Sequence, residues 1–159
     1  MNLNAQLAKQ FRDFLSGNNY TGINLQQALE GVTFEEAQTR VFGLNSIAML
    51  VFHINYYVAA VLKVAQGGPL DAHDKLSYDM PPLDAEQDWH ALCAKIFRET
   101  SALAGLIEQM TDEQVMGDFT VAKYGTWVRN LTGLLEHSYY HTGQISIVKK
   151  LLRLGAAVS

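Results

Sequence analysis

Apolar residues recur along this chain with a helical period, and no stretch of useful length alternates as a strand does. Leu3, Leu7, Phe11 and Phe14 stand three or four apart and form one stripe, which Ser16-Gly17-Asn18-Asn19 ends. A second helix is expected from about Ser46 to Gln66, closed by Gly67-Gly68-Pro69. It is apolar on nearly every side and should be the most buried element. Asp84, with Gln87 three residues on, reads as the N-cap of a third helix running through about Met110. Its stripe is Trp89, Leu92, Ile96, Leu103, Ile107 and Met110. Thr126 caps a last helix to about Arg153, with Leu131, Leu134, Ile145, Val148 and Leu152 as its seam.

The connections are long. Residues 20–45 contain Thr33-Phe34-Glu35-Glu36, a capping box that predicts a short helix around 34–39, and a further turn of helix is expected near 24–30. The segment from Gly67 to Leu83, with Pro81-Pro82, reads as a linker of polar turns, and the stretch before Thr126 as a loop. Amphipathic helices in one short chain hide their stripes together as a four-helix bundle, a single all-α domain over residues 1–159. Both long linkers exceed the roughly two to eight residues usual between antiparallel helices, so at least one should cross the bundle. That disfavours a simple up-down-up-down order.

Composition narrows the class without naming a function. Hydrophobic residues make up 48% and charged residues 18%, which argues for a packed core and against disorder. A net charge of −4 leaves no electrostatic footprint for nucleic acid. The one dense basic run, Lys149-Lys150-Leu151-Leu152-Arg153, reads as cations at a helix C-terminus. Cys93 is the only cysteine, so no intrachain disulfide forms; this agrees with a reducing, cytoplasmic setting, with the thiol acting as a small hydrophobe. No signal peptide is read at Met1-Asn2-Leu3-Asn4-Ala5. The apolar stretch near Ile47–Ala65 is broken by His53, Asn55 and Lys63, and reads as a buried helix with no membrane span.

The chemistry concentrates in Glu136-His137-Ser138-Tyr139-Tyr140-His141-Thr142-Gly143-Gln144. His137 and His141 stand one turn apart, about 5–6 Å between Cβ atoms, so two imidazoles on one face converge on one cation. The seam puts His141 inward and His137 on its flank. His53, spaced helically with Leu50, Ile54, Tyr57 and Val61, also points at least partly inward. Three buried imidazoles need partners for their ring nitrogens, and a metal satisfies them while each stays neutral. His73, in a Pro/Gly-bounded linker, and His90, at a helix start, are expected to be solvated and are excluded as ligands. Glu136 is read either as an acceptor for an imidazole N–H or as a surface carboxylate. Close helix approach is the plainest reason for Gly143.

These residues resemble the DinB-like (DinB/YfiT-like) metalloenzyme superfamily. The resemblance rests on Ser46-Ile47 opening a helix that carries His53-Ile54, and more firmly on the His137-to-Ile145 pattern of two histidines followed by Thr-Gly-Gln-Ile. It implies a four-helix bundle in up-down-down-up order with a long crossover connection, usually a homodimer, with His53, His137 and His141 as a three-histidine site for nickel or zinc. Some members are thiol-dependent transferases or isomerases using low-molecular-weight thiols such as bacillithiol or mycothiol. The family name comes from induction by DNA damage and implies no DNA binding.

Three readings stand at this point: a metal-dependent enzyme, a transferase or a hydrolase of small substrates; a non-catalytic metal-binding or stress-responsive bundle; and a helical dimer whose histidines only hydrogen-bond in the core. Pocket candidates beside the triad are Tyr57, Tyr140 and Gln144, with Glu136 as the fourth; core packing also accounts for the tyrosines. Metal affinity is expected to weaken as pH falls through roughly 6.5, because the ligands must be neutral.

Overall fold

A computed structural model describes residues 2–155 of the chain. Met1 and residues 156–159, which the single-domain expectation included, lie outside the described residues. Seven α-helices and two 3-10 turns account for the regular structure among those residues, with no strand; the fold is all-α.

Four helices are long: α1 (Leu3–Leu15), α4 (Ile47–Ala65), α5 (Glu86–Gln109) and α7 (Trp127–Arg153). Three are short: α2 (Leu25–Leu29), α3 (Phe34–Gln38) and α6 (Asp112–Met116). The caps lie where the sequence places them for most of these. Ser46 and Thr126 accept from the backbone N–H three residues on, and Thr33 with Glu36 closes its box in both directions. Gly67, at φ 84°, ends α4: its N–H reaches Val64 O and that of Gly68 reaches Lys63 O, a Schellman closure that a side chain at this φ would strain.

Two readings change. The third long helix is capped at Ala85 and not at Asp84, so it starts at Glu86: the Asp88 carboxylate accepts from the backbone N–H of both Asp84 and Ala85, each at 3.0 Å. The stretch after Met110 contains α6, capped by Thr111 and Gln114, so it is not all loop.

The core forms where α4 packs on α5 and α7, and α1 on the same two. Ile47, Val51, Ile54 and Val58 of α4 are fully buried with Phe14, Ile96, Leu103, Leu131 and Ile145. By length and hydropathy α4 passes as a membrane span, yet 61% of that window is buried inside the fold. Asn4 of α1 donates to Glu108 O and Met110 O at the end of α5, while Ser16 shares a cleft with Trp89, Cys93 and Phe97 near the start of α5. Along α7, Asn130 shares a cleft with Val61, and Gln144 and Val148 share a hollow with Leu50. Phe14 meets Tyr139 edge-on at 5.4 Å.

The basic run near the end of α7 has a more particular use than its own dipole. Lys149 donates to Ala28 O at 3.1 Å and Glu30 O at 2.6 Å, and Arg153 to Gly31 O at 2.8 Å, so α7 caps the open carbonyls of α2 and the turn after it.

Gly143 also departs from expectation: a Cβ there would meet nothing within 4 Å, so no helix approaches it closely. Gly143→Ala should therefore stabilise α7 by about 0.5–1 kcal/mol through propensity alone. Thermal unfolding followed by circular dichroism checks this; a lower Tm would show that the position carries a role other than spacing.

Candidate metal centre

His53, Tyr56 and Tyr57 follow an i, i+3, i+4 spacing and so form one ridge on α4. The crossover after α4 folds back over that ridge because it carries matching groups. The Tyr56 hydroxyl accepts from His73 N–H at 2.8 Å and donates to His73 O at 3.1 Å. Tyr57 donates to the Asp74 carboxylate at 2.8 Å. A 3-10 turn over Asp74–Leu76 then brings Ser77 O to 3.2 Å from His53 Nδ1, and Tyr78 stacks on the His53 ring at 3.9 Å between centroids and 7° between planes. The linker thus walls the site. Sequence reading missed Asp74, Ser77 and Tyr78; the available signal was an aromatic residue and a serine just ahead of a Pro-Pro pair.

The three histidines expected as ligands meet. His137 Nε2 is 3.0 Å from His53 Nε2 and 3.1 Å from His141 Nε2, and the ligand atoms of all three lie within 4.8 Å of one another. Donors about 2.0–2.1 Å from one ion stand roughly 2.9–3.4 Å apart for angles between octahedral and tetrahedral, so the two short spacings suit coordination. His53 and His141 are buried and His137 is half-buried, matching inward and flanking positions.

Tautomers sharpen the fit. A carbonyl only accepts, so His53 Nδ1 carries the proton it donates to Ser77 O, and its Nε2 presents a bare lone pair. His141 Nδ1 lies 2.6 Å from Gln144 Oε1, with the same amide donating to the Tyr140 hydroxyl at 3.2 Å, so His141 Nε2 is bare as well. His137 Nε2 can give a proton to only one of them. Lone pairs converging in this way could hold a metal ion. His137 Nδ1 is itself buried without a hydrogen-bond partner, so that ring is steered by packing, with His141 at 4.4 Å, His53 at 4.8 Å and Tyr57 edge-on at 4.9 Å.

Charge favours the neutral, ligating form of all three. Burial, and next the charges of His141 and His53, push His137 down to about 4. Burial, followed by His141, lowers His53 against the opposing pull of Ser77 O. Burial lowers His141, opposed by Gln144.

The remaining candidates divide. Tyr57, Tyr140 and Gln144 border the triad, with Tyr140 edge-on to His141 at 4.9 Å. Glu136 does not: it is exposed and lines a groove with Gln6, Lys9 and Gln10 of α1, while Ser77 O and Gln144 take the imidazole N–H groups. Its surface-carboxylate reading fits this placement. His73, near Asp71, and His90, near Glu86, are exposed and lie outside the cluster, as expected. Cys93 faces a cleft lined by Trp89 and Phe97, and burial drives its thiol pKa up to about 12, so it is no nucleophile at neutral pH.

A cleft of about 860 Å³ borders the centre at His137, with Tyr57 also in its lining beside Leu134, Phe119, Lys75 and Arg129. Gln144 holds the His141 ring from the other side. Gln144→Ala should weaken metal affinity by roughly 10–100-fold, the usual effect of losing a group that orients a ligand. Competition with a chromophoric chelator measures it, and an unchanged affinity would mean that packing alone orients His141.

Compared with models of known families, with curated proteins and with solved structures, the chain matches none.

Proposed function

We propose that this chain is a divalent-metal protein of the DinB-like type, with nickel or zinc held by His53, His137 and His141, and that it acts as an enzyme on a small molecule. The observation that carries the reading is the convergence of three imidazole Nε2 atoms whose tautomers, at His53 and His141, are set by Ser77 O and Gln144. Nitrogen-only donor sets suit several first-row ions, nickel and zinc among them.

Catalysis is favoured over storage because three protein ligands leave a coordination position open and one of them, His137, lines a cleft open to solvent. A bound divalent ion would supply Lewis acidity there, lowering the pKa of a thiol or a water. A low-molecular-weight thiol is the substrate class that the resemblance adds; hydrolysis of a small substrate is the other reaction the open position suits.

Helix directions support the up-down-down-up bundle order. Leu50 beside Gln144 and Val148, with Val61 beside Asn130, runs α4 against α7. Asn4 at the end of α5, with Ser16 near its start, runs α1 against α5. Phe14 against Tyr139, with α2 just beyond α1 held by Lys149 farther along α7, runs α1 along α7, which supports this order over up-up-down-down. In the same reading the chain works as a cytosolic homodimer. Exposed Leu44 and Ile147, which line one hollow, are apolar surface of the kind a second copy covers.

Metal analysis of protein purified with neither added metal nor chelator tests the proposal. Close to one nickel or zinc per chain is expected. A chain carrying none, and taking none up on addition, would leave the histidines as core hydrogen-bonders.

A further inference from the structure

Arg129, Gly133 and His137 stand four residues apart along α7, so they share one ridge, and all three line the cleft that borders the metal centre. The Arg129 Cα lies two turns from that of His137, roughly 12 Å along the helix axis, and its side chain leans back toward Gly125, so a ligand joining the two must span more than that. Gly133 sits between them, and a Cβ there would meet nothing within 4 Å, so the wall between cation and centre is left open. Lys75 lines the same cleft from the crossover. Among the described residues neither Arg129 nor Lys75 has an ion-pair partner, a state they share with most of the chain's cations; what sets them apart is that both line the cleft that holds His137. Asp74, the acidic group in the lining, accepts from the Tyr57 hydroxyl. The same lining includes the apolar side chains Val61, Leu70, Phe119 and Leu134.

We propose that this cleft binds a small organic carboxylate end-on, its donor atom at the metal position beside His137, its body along Gly133 and Leu134, and its carboxylate on Arg129 with help from Lys75. The inference rests on the metal reading above and adds to it the charge and shape of the ligand. Two features favour an anion in a chain of net charge −4. Three neutral ligands leave the full charge of a divalent ion in place, and a guanidinium with no ion-pair partner recognises a carboxylate through two parallel hydrogen bonds, although Asp74 in the cleft and Glu136 in the adjoining groove are nearby acids.

The test uses the zinc-loaded full-length chain and a graded series of ω-sulfanylalkanoates, each paired with its neutral amide, with affinities read by calorimetry and zinc content measured in parallel. For the best chain length the acid should bind about tenfold tighter than its amide, the scale of one charge-assisted hydrogen-bond pair at a partly exposed site. In Arg129→Gln with Lys75→Gln that preference should shrink to about twofold or less while zinc content holds. Gly133→Leu should weaken both probes by about tenfold, again with zinc retained, because its side chain fills the path. All three positions are at the cleft surface, and circular dichroism confirms that the variants fold. Equal affinities for acid and amide in the parent chain, or a preference that survives the double substitution, would overturn the proposal while leaving the metal centre standing. A chain that takes up no zinc overturns both.

Discussion

His141→Ala is expected to abolish stoichiometric metal uptake, lowering affinity by well over about 100-fold, more than the loss of an orienting neighbour costs. His141 is the ligand fixed on both sides: Gln144 holds Nδ1 at 2.6 Å, and Nε2 stands 3.1 Å from His137 Nε2. Its removal leaves His53 and His137, and His137 has no hydrogen-bond partner on its Nδ1 to hold its angle. Two imidazoles, one of them loosely steered, make a weak site open to solvent. His73→Ala is the control, since that ring is exposed and pairs with Asp71 outside the cluster. Equilibrium dialysis with nickel and with zinc measures both. Equal loss in the two variants would point to a general effect on folding, and retention in His141→Ala would remove that residue from the ligand set.

The second large effect is acid release, and the structure moves its window. A solvated histidine titrates near 6.5, which sets the expectation from sequence. All three rings have depressed values in the folded chain, His137 at about 4. Protons therefore compete weakly at neutral pH, and metal affinity should stay level from pH 8 through about 6.5 and fall only as pH approaches the lowered folded-state values, about 4 for His137. The metal-free protein should follow the same linkage. A depressed histidine binds its proton in the unfolded chain first, so its stability contribution is fully present above about 6.5 and is lost as pH falls through about 4. For His137 that loss is on the order of 2 kcal/mol once screening at the cleft is allowed for. Metal retention and urea unfolding, each followed from pH 8 to pH 4, check the two halves. A midpoint of release near 6.5 would mean that the rings are solvated in the folded chain.

The parts of this architecture governed by local rules were legible in the sequence. Ser46, Thr33 and Thr126 carry their own capping chemistry, and the stripes of α1, α5 and α7 follow from helical period, as does the facing of His53 and His141. Even α6 had a signal, the Thr111-to-Gln114 box, which the polar stretch around it masked. The start of α5 was misplaced because an acidic residue at the third helical position can serve the cap from inside, as Asp88 does, so Asp84 was not needed in that role.

Contacts between distant segments left no such trace. Nothing in the spacing of the Gly67–Leu83 linker announces that Ser77 O sets the His53 tautomer or that Tyr78 stacks on it; both depend on where the crossover lands over α4. Glu136 and Gln144 show the same limit from the other side. Both flank the histidine pair in sequence, yet only Gln144 shares its helix face with His141, while Glu136 turns toward α1. Arg129 lies two turns upstream of His137, and its relevance follows only from the cleft that joins them.

X-ray absorption at the metal edge of the zinc-loaded chain, with His53→Ala beside the parent, tests most directly whether α4 and α7 deliver nitrogens to one ion. The parent should show three imidazole ligands at about 2.0–2.1 Å, and the variant one fewer. An ion bound with the same imidazole count in both, or held by oxygens alone, would contradict it.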